Sequence, residues 1–189
     1  MTGAHPVAVE LHAREVMDPV MKAIDKIEER LGHSPHAALV TLPVGAWVTS
    51  AVADGLALVT NKSAYDDAAR ISMVVGLVGA AGALVTGLHD YSYIPSNREP
   101  SHSIATRHGV GNIIVTSLFA TSYILRAQAS QTNRRPSVLS RLLSLTGAGF
   151  VAYTAWLGGK LVEEQGEAVK PIIRQQNEEE KERKRLAAA

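Results

Sequence analysis

Cysteine is absent from the chain. That excludes disulfides, Cys-ligated zinc and cysteine-ligated iron–sulfur clusters carried by this chain alone, and leaves the redox compartment unread. Aromatic residues are scarce, 5% of a chain that is 46% hydrophobic, so Ala, Val, Leu and Gly supply the apolar mass. This is the profile of membrane helices packed through small residues, not of an aromatic soluble core. An excess of either charge is missing too: the formal net charge is +1 and the basic residues of the tail alternate with Glu, so nucleic acid is not an expected partner. Met1 to Ala13 holds no apolar run of signal-peptide length, and no cleavable signal is expected. Neither a phosphate loop, nor HExxH spacing, nor a nucleophile–base pair is visible, and a self-sufficient enzyme is not expected.

Long apolar runs are what the chain does have. From Ala37 to Val59 there is no Lys, Arg or Glu, about the ~20 residues a helix needs to cross a hydrocarbon core. Pro43 lies about two turns in, cannot donate its backbone hydrogen bond and should kink this first span. Ile71 to Leu88 forms a second, Arg107 to Leu125 a third with Arg126 capping its far end, and Leu142 to Leu157 a fourth. Thr60–Arg70, the loop that follows Tyr91 up to Thr106, and Ala127–Ser140 read as the connections. In the second span Gly79, Ala83 and Gly87 form an i, i+4 row of small residues suited to close helix packing. Ahead of the spans, Met17, Val20, Ile24, Ile27 and Leu31 recur at helical spacing among charges, an amphipathic helix stopped by Gly32. It would rest on the bilayer interface or the bundle, or pair two copies into a homodimer. The expectation is an all-α, integral membrane, antiparallel four-helix bundle: residues 1–32 an amphipathic N-terminal segment, 33–165 the bundle, 166–189 a charged C-terminal tail, helical or disordered.

Antiparallel spans bring the start of the first and third and the end of the second and fourth to one membrane face. His36, His89, Asp90, His108 and Asn112 all fall there, with His108 and Asn112 one turn apart on a shared face. Asp54 is the lone acid within an apolar run and should face the bundle interior, where it is costly unless paired or neutralised. The tryptophans Trp47 and Trp156 and the tyrosines Tyr91, Tyr93 and Tyr123 read as interface anchors or bundle packing. A slight excess of Lys and Arg on the terminal face favours both termini in the cytoplasm.

Several short motifs resemble an uncharacterised bacterial four-helix membrane family, domain of unknown function 2231. They are Gly32-His33-Ser34-Pro35-His36 with Leu42-Pro43-Val44-Gly45 and Asp54, Gly87-Leu88-His89-Asp90-Tyr91, His108-Gly109-Val110-Gly111-Asn112, and Trp156-Leu157-Gly158-Gly159-Lys160-Leu161-Val162 with Gly166. The resemblance runs from His33 to about Val169. Many members have proline after the second histidine, where this chain has Ala37, and His89 stands outside the pattern. Some members look fused to a Rieske domain, which implies membrane redox work for part of the family; the cluster of such a domain is not carried here, since there is no Cys.

Three functions follow from the polar residues. The first is a structural or partner-binding membrane module, with the bilayer and a redox or other membrane protein as partners. The second is electron transfer, with b-type haem held axially by His36 and His108 and with Asp90 and Asn112 orienting the rings. The third is a transition-metal site drawing on His36, His108 and His89 or Asp90. On each reading His36 and His108 lie at one depth and approach one another, with Asp90 or Asn112 within hydrogen-bond reach of at least one.

Overall fold

The computed structural model describes residues 6–132, 134–167 and 181–187, with side chains from residue 17 onward. Its elements are α1 (Pro6–Leu31), α2 (His36–Leu39), α3 (Thr41–Thr60), α4 (Ser63–Ser92), α5 (Ser101–Gln131) and α6 (Val138–Glu163), and no strand occurs among the described residues. A further helical stretch at 181–187 is fully exposed, as the charged tail requires; the expectation for 168–180 lies outside the described residues.

Among the described residues, four stretches are long and apolar enough to span a bilayer: α2 with α3 (His36–Thr60), α4, α5 and α6. They pair as two antiparallel hairpins, α3 on α4 and α5 on α6, which pack on each other through α4·α5 and α3·α6. The distribution of side chains is inverted relative to a water-soluble bundle. Val52, Leu58, Val78, Leu84, Ile113 and Ile124 point outward, while Ser50, Asp54, Ser122, Arg126, Ser140 and Ser144 are buried. Lipid solvates the aliphatic surface, so close packing and internal hydrogen bonding hold the interior instead.

The first span is interrupted at Val40, between α2 and α3. Pro43 has no N–H to offer the Leu39 carbonyl, and its ring crowds that carbonyl, so the helix breaks one turn upstream. Gly32 ends α1 in the left-handed region (φ 81°), its N–H bonded to the Glu28 carbonyl. Three expected connections are shorter than the polarity of the sequence suggests. Only Asn61 and Lys62 separate α3 from α4, α5 begins at Ser101, and α5 and α6 run to Gln131 and from Val138. The polar residues of those stretches form extra helical turns because they bond across the bundle, Asp66 to Arg141 among them. Arg135 ties the two connections of that end together through the side chain and carbonyl of Asn61.

Small residues on α4 seat the first span. A Cβ at Gly76 would fall 2.2 Å from the Trp47 indole nitrogen, one at Gly79 2.8 Å from Pro43 Cδ, and one at Gly87 2.8 Å from His36 Cε1. Ala83 is buried on the same row. At mid-depth Trp47 stacks on Phe119, centroids 4.6 Å apart and planes within 4°, and with Met73, Val115 and Val151 closes the core. Trp47 is thus core packing, whereas Trp156 lies on the outer surface under Lys160.

Candidate functional site

Two polar clusters lie on either side of this apolar layer. At the terminal end, His36 and His108 stand edge to face with ring centroids 6.5 Å apart. Each enters the membrane at the start of its span, so antiparallel pairing puts them at one depth. His36 Nδ1 lies 3.1 Å from Thr86 Oγ1, whose own proton goes to the Gly82 carbonyl at 3.0 Å. The hydroxyl is therefore the acceptor and Nδ1–H the donor. His108 Nδ1 donates to the Thr154 carbonyl at 2.8 Å, which leaves Nε2 as an acceptor; Asn112 Nδ2 fills it at 3.1 Å and also bonds the His108 carbonyl at 3.0 Å. With Nδ1–H donating and Nε2 accepting, the His108 ring is neutral, and both rings face small residues, Gly87 for His36 and Gly158 for His108.

Asp90 does not bond either of these imidazoles. Its carboxylate accepts from Ser34 Oγ at 2.7 and 2.9 Å, and the same oxygen of Ser34 accepts the backbone N–H of His36 at 3.1 Å. Ser34 thereby fixes the entrance of the first span to the exit of the second. His89 points away from the pair: it is 1% exposed, with Nε2 2.9 Å from Asp25 of α1 and Nδ1 3.4 Å from Asp90. The ligand set of His36, His108 and His89 is not assembled, and no three His, Asp or Glu side chains converge in a metal-binding arrangement among the described residues. Asp25 also accepts from Tyr93 Oη at 3.0 Å. Bonds from His89 and then Tyr93 hold the Asp25 carboxyl below its ordinary pKa, and the same contact with Asp25 raises the Tyr93 phenol.

The other cluster surrounds Asp54, which faces the interior and is fully buried. Arg126 reaches it with two parallel bonds, 2.8 and 2.7 Å, Ser144 Oγ donates at 2.6 Å and Arg141 at 3.2 Å. Arg141 also holds Asp66 at 2.6 Å, and Arg126 bonds Ser122. Two carboxylates and two guanidiniums from α3, α4, α5 and α6 thus cancel in the interior, the fork of Arg126 matching the Asp54 carboxylate and Arg141 bridging Asp54 and Asp66. Arg126 is not a cap at the end of the third span, as its place in the sequence suggested; it turns inward because Asp54 would otherwise be an uncompensated charge. The signal was present in Ser122-Arg126 and in Ser140, Arg141 and Ser144, small polar residues at helical spacing leading to an arginine.

Comparison with known proteins gives the family. A family model described as "Predicted membrane protein (DUF2231)" matches residues 32–171, about three quarters of the chain. The chain belongs to this family. No curated protein and no solved structure matches it. The family match begins at Gly32, the residue that ends α1, so it takes in the four spans and both polar clusters and leaves α1 outside.

Whether the histidine pair suits haem is decided by its free donors. Axial ligation needs an unshared nitrogen on each ring facing a common iron. His108 has both nitrogens engaged, by Thr154 and Asn112. The rings as they stand do not fit a bis-histidine haem.

Proposed function

We propose that this membrane protein is a structural module: a rigid four-span bundle whose terminal face, with α1 and the connection between α4 and α5, presents a docking platform to a membrane protein partner. The observation that carries this reading is the closed interior. Among the described residues the two polar clusters bond chiefly within themselves, and the layer of Trp47, Met73, Val115, Phe119 and Val151 lies between them, which supports a bundle without a polar route from one face to the other. Function then lies on the surface. Val20, Ile27 and Leu31 of α1 are exposed and apolar, available to a partner or to a second copy of the chain.

Orientation with both termini in the cytoplasm of a bacterial inner membrane is part of the proposal. Arg126 and Arg141 are neutralised inside the bundle, so exposed cations at the far face reduce to Lys62, Arg70, Arg134 and Arg135. Lys22, Lys26, Arg30, Arg98, Arg107 and Lys160 stand on the terminal face. The test is photo-crosslinking in native membranes from positions such as Lys22 and Asn97 on the terminal face and Lys62 on the other. Crosslinks to a protein confined to the terminal face are expected; equal or no crosslinking from that face overturns the reading.

A second reading, haem or a transition metal held by His36 and His108, is favoured only by the approach of the two rings. It requires Asn112 to release His108 Nε2, and a redox-active group there would supply one-electron chemistry near the terminal face.

A further inference from the structure

From Met17 onward the side chains of α1 divide into sectors of different chemistry. At about 100° per residue, Met21, Ile24, Asp25 and Glu28 share one side of the helix, and all four are buried or partly buried. This side meets α4 through Asp25. Next to it Val20, Ile27 and Leu31 fall within about 40° of one another. They form an apolar edge, 37%, 45% and 51% exposed. Arg30, then Lys26 and Lys22, follow on the other flank of that edge, exposed and in no ion pair among the described residues. Asp18 and Glu29 lie opposite the edge, between the cations and the buried side.

Two ties set the depth of this segment. Asp25 takes the bond to His89 Nε2 at 2.9 Å and the Tyr93 hydroxyl at 3.0 Å, and further along the chain Ser34 donates to Asp90 at 2.7 Å. His89, Asp90 and Tyr93 all stand at the end of α4, where the second span leaves the hydrocarbon. Residues 25–34 therefore run at the level of the lipid headgroups, and the apolar edge lies there with them.

Lipid, a second copy or another protein could cover an apolar edge at that level, and the charges beside it favour lipid. An acidic phospholipid surface offers phosphates next to hydrocarbon, and the stems of Lys and Arg lie along apolar surface while their charges reach that boundary. We propose that residues 17–31 of α1 are an interfacial anchor, which lays Val20, Ile27 and Leu31 into the headgroup region of a bilayer containing anionic phospholipid and sets Lys26 and Arg30 on its phosphates. Lys22 extends the basic flank. Asp18 and Glu29, on the opposite side, face water.

The absence of native cysteine allows single spin labels in the full chain. Labels at Ile27→Cys and Glu29→Cys are compared in nanodiscs of phosphatidylcholine, with and without phosphatidylglycerol. Relaxation by oxygen reports lipid around the label, and relaxation by a nickel chelate reports water. In anionic discs the Ile27 label is expected to respond to oxygen and the Glu29 label to nickel. Lys26→Gln with Arg30→Gln should lower the ratio of lipid-seated to water-exposed Ile27 label about tenfold or more in anionic discs, since each cation near such a surface contributes about fivefold. In neutral discs the same change should have little effect. A label at Leu84→Cys, outward on α4, stays unchanged and reports an intact bundle. If the double variant disturbs it, the native charges decide, with a larger lipid-seated fraction expected in anionic than in neutral discs. An Ile27 label open to nickel, one shielded from both reagents as under a protein or a second copy, or one indifferent to lipid charge overturns the anchor.

Discussion

Asp54 concentrates the charge problem of the bundle at a single residue. It accepts from Arg126, Arg141 and Ser144, and its loss strands the Arg126 guanidinium in the interior and leaves Arg141 with Asp66 alone. Asp54→Ala is expected to destabilise the protein by about 3–5 kcal/mol, the cost of breaking a buried pair from one side. The double variant Asp54→Leu with Arg126→Leu keeps the remaining Arg141–Asp66 pair neutral and should cost less than the sum of its single changes. Unfolding of the four proteins in the same detergent checks this, and additive losses would mean that the two residues are not coupled. That Asp54 faces inward was legible in the sequence, because one acid in an apolar run has no stable place in lipid. Its partners were not, because an arginine at the end of a span reads equally well as an interfacial cap.

The α3–α4 contact depends on places where a side chain has no room. Gly79→Leu meets Pro43 and Leu42, and Gly76→Leu meets the Trp47 indole, so each should lower thermal stability in detergent far more than Leu84→Ile on the outer surface. Gly45→Ala meets nothing within 4 Å and should be tolerated, and equal effects at Gly76 and Gly45 would show that the indole does not pack on α4. The small-residue row was legible from its i, i+4 spacing, but which partner it received was not, since spacing marks a face and not its neighbour. The attachment of α1 carries a pH dependence at this scale. Asp25 has its pKa lowered by docking, so its contribution is present above the ordinary carboxylate range and lost as pH falls through the lowered value. Tyr93 has its pKa raised, with Glu28 adding to the effect, so its contribution is present below the ordinary phenol value and lost as pH rises through the raised one. Spin-label distances between Lys22→Cys and Arg107→Cys should broaden at both extremes, and a distribution flat across that range would contradict the assignment.

At the scale of the molecule, single cysteines at Lys62 and Gln131 should react with an impermeant reagent from one side of the membrane and one at Asn97 from the other. Opposite labelling of the first two would end the four-span topology. The four spans were legible because lipid demands an apolar run of fixed length, and their ends were blurred because polar residues at those ends bond across the bundle and stay helical. The approach of His36 and His108 was legible too, as equivalent entrances of parallel spans, and so was the pairing of His108 with Asn112. His89 was discounted in the sequence and is the most buried imidazole among the described residues, bonded to a helix whose docking no local pattern specifies. The most direct test of a closed structural bundle is the reduced-minus-oxidised absorbance spectrum, per mole of protein, after purification from native membranes. No haem α-band is expected, in wild type or in Asn112→Ala. A stoichiometric α-band that disappears in His36→Ala would contradict it and make the histidine pair an electron-transfer site.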